Sequence, residues 1–492
     1  MVVMSENLID LYRTNERFLM IRAPPGSGKT FSAIKYAIER ANEGKRIGIF
    51  FRTRKQIEHA LGIYWTLVRG SDNYPLAVPV VGKDKLCRFP PVNPEMARWW
   101  CAFIECEFSG KFSRRFLDLY VRNKPKRIDE IVGISFDSGG CPYQNVINAI
   151  ERAMIVFATH PYFINNSLFE KLGHIDEAII DEAHAFLLVK TAEISKDDYL
   201  FGKQFEDVEL NRAGVALYRE GKRKEAFSLL RFANFIEAPG DEIKIDDKII
   251  KAVLPKNLIE ERLKEISKII LLSATIYPES LFKRFFFPRG GGKLIIRKGI
   301  LKGENKAIFA LSIGLTTRFK ERKGSVLERY AKVIKAISEL AKPIVVFAPS
   351  YEIAEILAKK LNVEVSKEKL VESDIVVIAM RSRFAEGIEL RVKGEEPKIG
   401  IIVGLPFPRL EAETRKLISF YAKKYRILPG KLITAYIFSG MISALIQAVG
   451  RIGRRRKGVV VIIDDRVKDY SLGIPIFENL NQLLERISKE LL

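Results

Sequence analysis

The sequence has no run approaching the roughly 18 uninterrupted apolar residues of a membrane span, and Met1–Arg13 mixes acids, Asn and Ser where a secretory signal needs an apolar stretch. These absences predict a soluble, intracellular protein without a membrane partner. No tandem repeat or low-complexity tract is present, which sets aside solenoid and fibrous architectures. Cysteine is scarce, with four in 492 residues, all between positions 87 and 141. Acidic residues are in deficit: 60 Asp and Glu face 82 Lys and Arg, a formal charge of +22. Such an excess attracts a polyanion at long range, and nucleic acid is the leading candidate. Solvated charge networks of a heat-stable protein would explain many charges, but not their imbalance.

What is present points to a multidomain α/β protein. At 492 residues the chain exceeds one ordinary core, and 47% apolar residues supply ample material for several. Short β-branched runs at Phe18–Arg22, Arg46–Phe51, Met154–Ala158, Ala178–Ile180 and Ile269–Leu272 alternate with amphipathic stretches such as Phe31–Asn42. That rhythm predicts a parallel sheet covered by helices on both faces. A second series follows with Pro343–Ala348, Ile375–Ala379, Lys398–Val403 and Gly458–Ile463. Two tandem domains are therefore expected, the second over 295–492. The first is assembled from 1–82, 146–194 and 263–294, interrupted by an insertion at 83–145 that holds every cysteine and by charged helices at 195–262.

Ala23-Pro-Pro-Gly-Ser-Gly-Lys-Thr30 follows a strand and opens a helix, as a phosphate-binding loop requires. Pro25, Gly26, Ser27 and Gly28 would wrap the ATP phosphates, with the two glycines letting the backbone approach, Lys29 would reach the β and γ phosphates, and the Thr30 hydroxyl would ligate Mg²⁺. Asp181-Glu-Ala-His184 follows another apolar strand. Asp181 is suited to hold Mg²⁺ and Glu182 to orient or deprotonate the attacking water; taken alone, such a pair after a strand is more often a helix N-cap. In the second domain, Gln447-Ala-Val-Gly-Arg-Ile-Gly-Arg454 puts Arg451 and Arg454 on one face if helical, where they would reach a γ phosphate across a cleft. A solvated basic face running into Arg455, Arg456 and Lys457 is the plainer reading. Cys87, Cys101, Cys106 and Cys141 are soft ligands suited to an iron–sulfur cluster or to tetrahedral Zn²⁺, while disulfides are disfavoured in a reducing compartment.

Together these stretches resemble the XPD/DinG branch of superfamily 2 helicases over nearly the whole chain. Lys29-Thr30, Asp181–His184, Leu272-Ser-Ala-Thr-Ile276, Val346-Phe-Ala-Pro-Ser-Tyr351, Glu386-Gly-Ile-Glu389 and Gln447–Arg454 follow the order of that superfamily's motifs I to VI. Arg52-Thr53-Arg54 is similar to motif Ia, and Thr316-Thr-Arg-Phe319 to a stretch near the start of the second motor domain. The resemblance implies two RecA-like parallel-sheet motor domains, the first carrying a 4Fe–4S insertion ligated by Cys87, Cys101, Cys106 and Cys141 and a short helical Arch-like insertion. It implies ATP contacts from Glu386 and Gly387, catalytic roles for Lys29, Asp181, Glu182, Gln447, Arg451 and Arg454, and DNA contacts from Arg52, Thr53, Arg88, Tyr143, Thr317 and Arg318.

The activity so implied is ATP-driven 5′ to 3′ movement on single-stranded DNA, with forked or junction DNA unwound at an iron–sulfur wedge, by a nucleoid-associated monomer serving DNA repair. Lys83, Lys85, Phe89 and Trp99 are further strand-gripping candidates beside the cysteines. Two departures stand out. No glutamine-bearing motif precedes the phosphate loop, and only about 88 residues separate His184 from Ser273, where the family's Arch is larger. A DNA-stimulated ATPase that translocates without unwinding, and a nucleotide-gated DNA-binding scaffold, are the competing readings.

Overall fold

The computed structural model describes residues 8–23, 27–71, 73–91, 93–205, 208–276, 279–296, 306–318, 320–321, 324–367, 373–380, 390–453, 456–470 and 472–492. In chain order the first half supplies strands β1 (Phe18–Arg22), β2 (Ile47–Phe51), β3 (Ala77–Val80), β4 (Ile155–Thr159) and β5 (Glu177–Ile180). Next come β6 (Val189–Ser195), β7 (Asp241–Ile245) and β8 (Lys248–Val253), followed by β9 (Lys268–Ser273) and β10 (Lys293–Ile296). The second half supplies β11 (Lys306–Leu311), β12 (Ile344–Ala348), β13 (Ile375–Ala379), β14 (Ile399–Val403), β15 (Gly458–Ile463) and β16 (Ile476–Phe477).

Two parallel sheets result, of order β10-β1-β9-β5-β2-β4-β3 and β13-β12-β14-β15-β11-β16. Runs such as IGIFF in β2, KIILLS in β9 and GVVVII in β15 are buried at every position. Strands apolar on both faces belong in the middle of a sheet covered on both sides. Parallel registers bring the C-terminal ends of β1, β9, β5 and β2 into one row, Arg22 beside Ser273 and Phe50 beside Ile180. Side chains that follow these strands therefore meet at one edge, where ligands of such sheets bind.

The 195–262 segment differs from the expected bundle of charged helices. Helices α1 (Lys196–Lys203), α2 (Leu210–Arg219) and α3 (Arg223–Glu237) are present. They pack on a three-stranded antiparallel sheet of order β6-β8-β7 that begins at Val189. The helical expectation followed charge density, whereas Ile243 and Ile245 obey the two-residue alternation of a strand, and the hairpin turning at Asp246, whose φ is +51°, sets Ile243 opposite Ile250. The cysteine-bearing insertion is also less separate than expected, because Phe116, Tyr120, Ile128 and Ile131 join the core of the first domain.

Two helices cross between the domains. In α4 (Ala412–Tyr425), Leu417, Ile418 and Tyr421 pack into the first domain's core. Helix α5 (Pro429–Val449) follows, with Leu432 and Ala435 in that same core and Met441, Leu445 and Val449 in the core of the second domain. Among the described residues α5 is the one helix long and apolar enough to cross a membrane by length and composition, and 56% of its apolar window is buried inside the protein. A helix hydrophobic all round is what burial in two successive cores requires.

Candidate active site

The phosphate-loop reading rests on β1 and on the helix Lys29–Asn42. Gly28 at its N-terminus adopts φ +77°, a conformation that strains any residue with a Cβ. Lys29 is turned onto the loop, donating from Nζ to the Ala23 carbonyl at 2.9 Å. Burial pushes its pKa down, against the opposing pull of Glu182 and Asp181. The Ser27 hydroxyl is buried without a partner among the described residues, and a buried polar atom at the mouth of a phosphate loop suits a ligand-held site. Pro25 and Gly26 lie outside the described residues, as do Glu386, Gly387 and Arg454.

Asp181 and Glu182 stand on the adjoining strand end. Thr30 Oγ1 donates to Asp181 Oδ2 at 3.3 Å, so the two expected Mg²⁺ ligands are neighbours. Burial and the adjacent Glu182 charge push the Asp181 carboxyl up. Burial acts the same way on Glu182, but His184, Lys29 and Arg52 together outweigh it and hold that carboxyl down. Two adjoining carboxylates in a low-dielectric site repel, and a cation relieves that cost. The residues present thus fit ATP with Mg²⁺: a cationic lysine, an oriented hydroxyl, two carboxylates and a helix N-terminus.

Two histidines, His160 and His184, brace this edge. His160, buried and with its pKa brought down to about 4 by burial, faces the Asp181 carbonyl through Nε2 at 2.8 Å. A carbonyl only accepts, so the neutral ring carries its proton on Nε2. His184 lies with Nδ1 3.2 Å from Glu182 Oε2 and 3.0 Å from Ser273 Oγ. Its Nε2 lies 3.4 Å from Ser443 Oγ on α5, a contact between the two domains. Neither His160 nor Ser443 carries a local sequence signal; the first opens the short helix His160–Ile164 after β4, the second lies in a helix of apolar residues.

The helix expected to carry Arg451 stops short of it. Helix α5 ends at Val449, Gly453 takes φ +62°, and buried Ile452 draws the chain into the core. Arg451, 7% exposed, lies in the turn beyond the helix, and Gln447 lies on its last full turn.

The candidate strand contacts divide. Arg52 is exposed at the end of β2. The Thr53 hydroxyl accepts from Gln56 N at 3.3 Å, and Gln56 Oε1 accepts from Thr53 N at 2.9 Å; this capping box starts the helix Arg54–Leu67 and contributes about 1 kcal/mol. Arg88 is exposed, with its guanidinium 4.5 Å from the Phe136 ring centroid. Tyr143 is 8% exposed within the first core, and Trp99 is 6% exposed with Nε1 donating to Asn211 Oδ1 at 2.8 Å. Both rings are engaged in packing. Thr317 Oγ1 accepts from Arg466 at 2.9 Å, and Arg466 is ion-paired with the fully buried Asp464. Arg318 is exposed, 3.5 Å from Glu321.

None of the four cysteines is joined in a disulfide, and all four line one cavity with Lys83, Arg88, Phe108 and Phe136. Burial pushes the Cys87 thiol up, and the three other thiols add to the shift. Among the described residues no three His, Cys, Asp or Glu side chains form a metal-holding group. Four convergent soft donors nevertheless fit a thiophilic metal centre in number and kind.

Comparison with known proteins agrees with this geometry. A family described as DEAD_2 matches residues 51–195, and one described as Helicase C-terminal domain matches 366–482; together they cover more than half of the chain. The curated ATP-dependent DNA helicase XPD of Sulfolobus acidocaldarius is 21% identical over 475 residues, which span 80% of this chain and 82% of that protein. A solved XPD helicase superposes with a TM-score of 0.66 at 18% identity, covering 97% of this chain and 98% of the other. The Xpd4 structure from S. tokodaii does so with 0.56 at 16% identity, over 96% and 98%.

Proposed function

Because this chain is an XPD-like helicase of superfamily 2, we infer that it hydrolyses ATP between its two RecA-like domains and uses the cycle to move along single-stranded DNA in the 5′ to 3′ direction. The observation that carries this is the convergence of Lys29, Thr30, Asp181 and Glu182 at one sheet edge, with the second domain touching the same edge through Ser443 and His184. Closure of the domains on ATP and reopening after hydrolysis would ratchet the strand. In this reading Arg451 would stabilise charge on the γ phosphate. Exposed Arg52, Arg88 and Arg318 would carry backbone contacts, in keeping with the +22 charge.

In this reading Cys87, Cys101, Cys106 and Cys141 hold a 4Fe–4S cluster, which ties separate segments of the insertion into a rigid wedge for forked DNA. DNA repair in the nucleoid is the setting the family suggests. An ATPase that translocates without unwinding is the second reading, favoured by the small insertion built on β6, β7 and β8. Duplex unwinding measured beside ATP hydrolysis separates the two.

Replacing Glu182 by Gln is expected to leave ATP binding intact while slowing hydrolysis about 10²–10⁴-fold, the range of a positioned acid–base group. Nucleotide affinity by equilibrium titration and single-turnover hydrolysis check this. Loss of binding in Glu182→Gln would show that the roles of Asp181 and Glu182 are wrongly divided.

A further inference from the structure

We propose that Ser443, on the helix shared by both domains, is a positioning residue for hydrolysis: through His184 it sets the orientation of Glu182 according to how the second domain sits against the first.

The chain of contacts is short. Glu182 Oε2 lies 3.2 Å from His184 Nδ1, and Ser443 Oγ lies 3.4 Å from His184 Nε2. A neutral imidazole has one donor and one acceptor nitrogen, so the partner of one nitrogen fixes the tautomer and ring angle at the other. With Ser443 donating to Nε2, Nδ1–H is left to donate to Glu182. Ser273 Oγ, 3.0 Å from the same Nδ1 and also 3.0 Å from Thr275 N, holds the ring from the β9 end. Without Ser443 the imidazole is free to place its proton on Nε2, and Nδ1 then confronts the carboxylate with a lone pair.

Helix α5 makes this contact responsive. Its first half is fixed in the first domain's core by Leu432 and Ala435, and its second half in the other core by Met441, Leu445 and Val449. Ser443 lies just beyond the crossover, and Gln447 shares its face four residues on. A shift of the second domain therefore moves Ser443 relative to His184, which belongs to the first. The 3.4 Å separation is at the long end of hydrogen bonding, as expected of a contact that shortens on closure.

This inference rests on the proposed ATPase activity, so Lys29→Ala is measured alongside. DNA-stimulated ATP hydrolysis is followed for S443A, S443T, H184A and S443A/H184A in the full chain. S443A is expected to lower kcat about 3- to 10-fold, the worth of one hydrogen bond, with KM for ATP unchanged. S443T keeps the hydroxyl and should retain most of the wild-type rate. In the H184A background the Ser443 change should have no further effect, because its route to Glu182 is already cut. A wild-type kcat for S443A, a fall in S443T as deep as in S443A, a rise in KM in place of the kcat effect, or losses that multiply in the double variant would each overturn the proposal. If Lys29→Ala hydrolyses normally, the active-site assignment itself is at fault; if it is dead while S443A is normal, only the role of Ser443 is.

Discussion

Lys29→Ala is expected to abolish ATP turnover, a fall of at least roughly 10²–10³-fold, the scale of removing one pre-placed charge-stabilising donor. The expectation rests on position. Lys29 opens the helix after the phosphate loop and has Asp181 and Glu182 as its opposing charges. In the structure its Nζ is held by the Ala23 carbonyl, a contact contributing about 1 kcal/mol, so the variant should remain folded. Thermal unfolding and circular dichroism check the fold, and a coupled assay checks turnover. Near-normal DNA-stimulated hydrolysis would place the active site elsewhere.

Cys87→Ser and Cys141→Ser are expected to eliminate duplex unwinding while ATP binding persists. Serine offers a harder ligand than thiolate, so a soft-ligand metal centre loses its hold. The insertion then loosens, but the first sheet has its own core of Ile49, Phe157, Ile179 and Ile270. Because Phe116 and Tyr120 of the insertion share that core, a lowered midpoint of unfolding should accompany the loss of metal. Wild-type protein prepared without oxygen should be brown, absorb near roughly 400 nm and carry about four irons per chain. Colourless protein with stoichiometric zinc would remove the cluster from the account and leave the ATP site standing.

Much of the scaffold was legible because buried parallel strands are written as β-branched runs. Phe18–Arg22, Ile375–Ala379 and Gly458–Ile463 form over the expected residues, and the others shift by a residue or so. Strands with weaker signatures were missed, among them β3, whose AVPV contains a proline, and β10, whose KLII is partly exposed at the sheet edge. The hairpin β7–β8 was hidden by its charges, since DEIKIDDKIIKAV reads as a charged helix unless the alternation of its isoleucines is weighed. The phosphate loop and the Asp181-Glu182 box were readable because their chemistry lies in contiguous residues. Ser443 and His160 were not, because each lies in a helix and meets its partner, His184 or Asp181, from another part of the sequence. The burial of Tyr143 and Trp99 was equally unreadable: an aromatic beside basic residues fits a nucleic-acid surface and a small core alike.

The most direct test of the central claim is the steady-state rate of ATP hydrolysis by the intact chain with and without single-stranded DNA. A low basal rate is expected that rises severalfold or more with DNA, disappears in Lys29→Ala and weakens with rising salt as phosphate contacts are screened. A rate indifferent to DNA, or no hydrolysis by protein that binds both ATP and DNA, would contradict that claim.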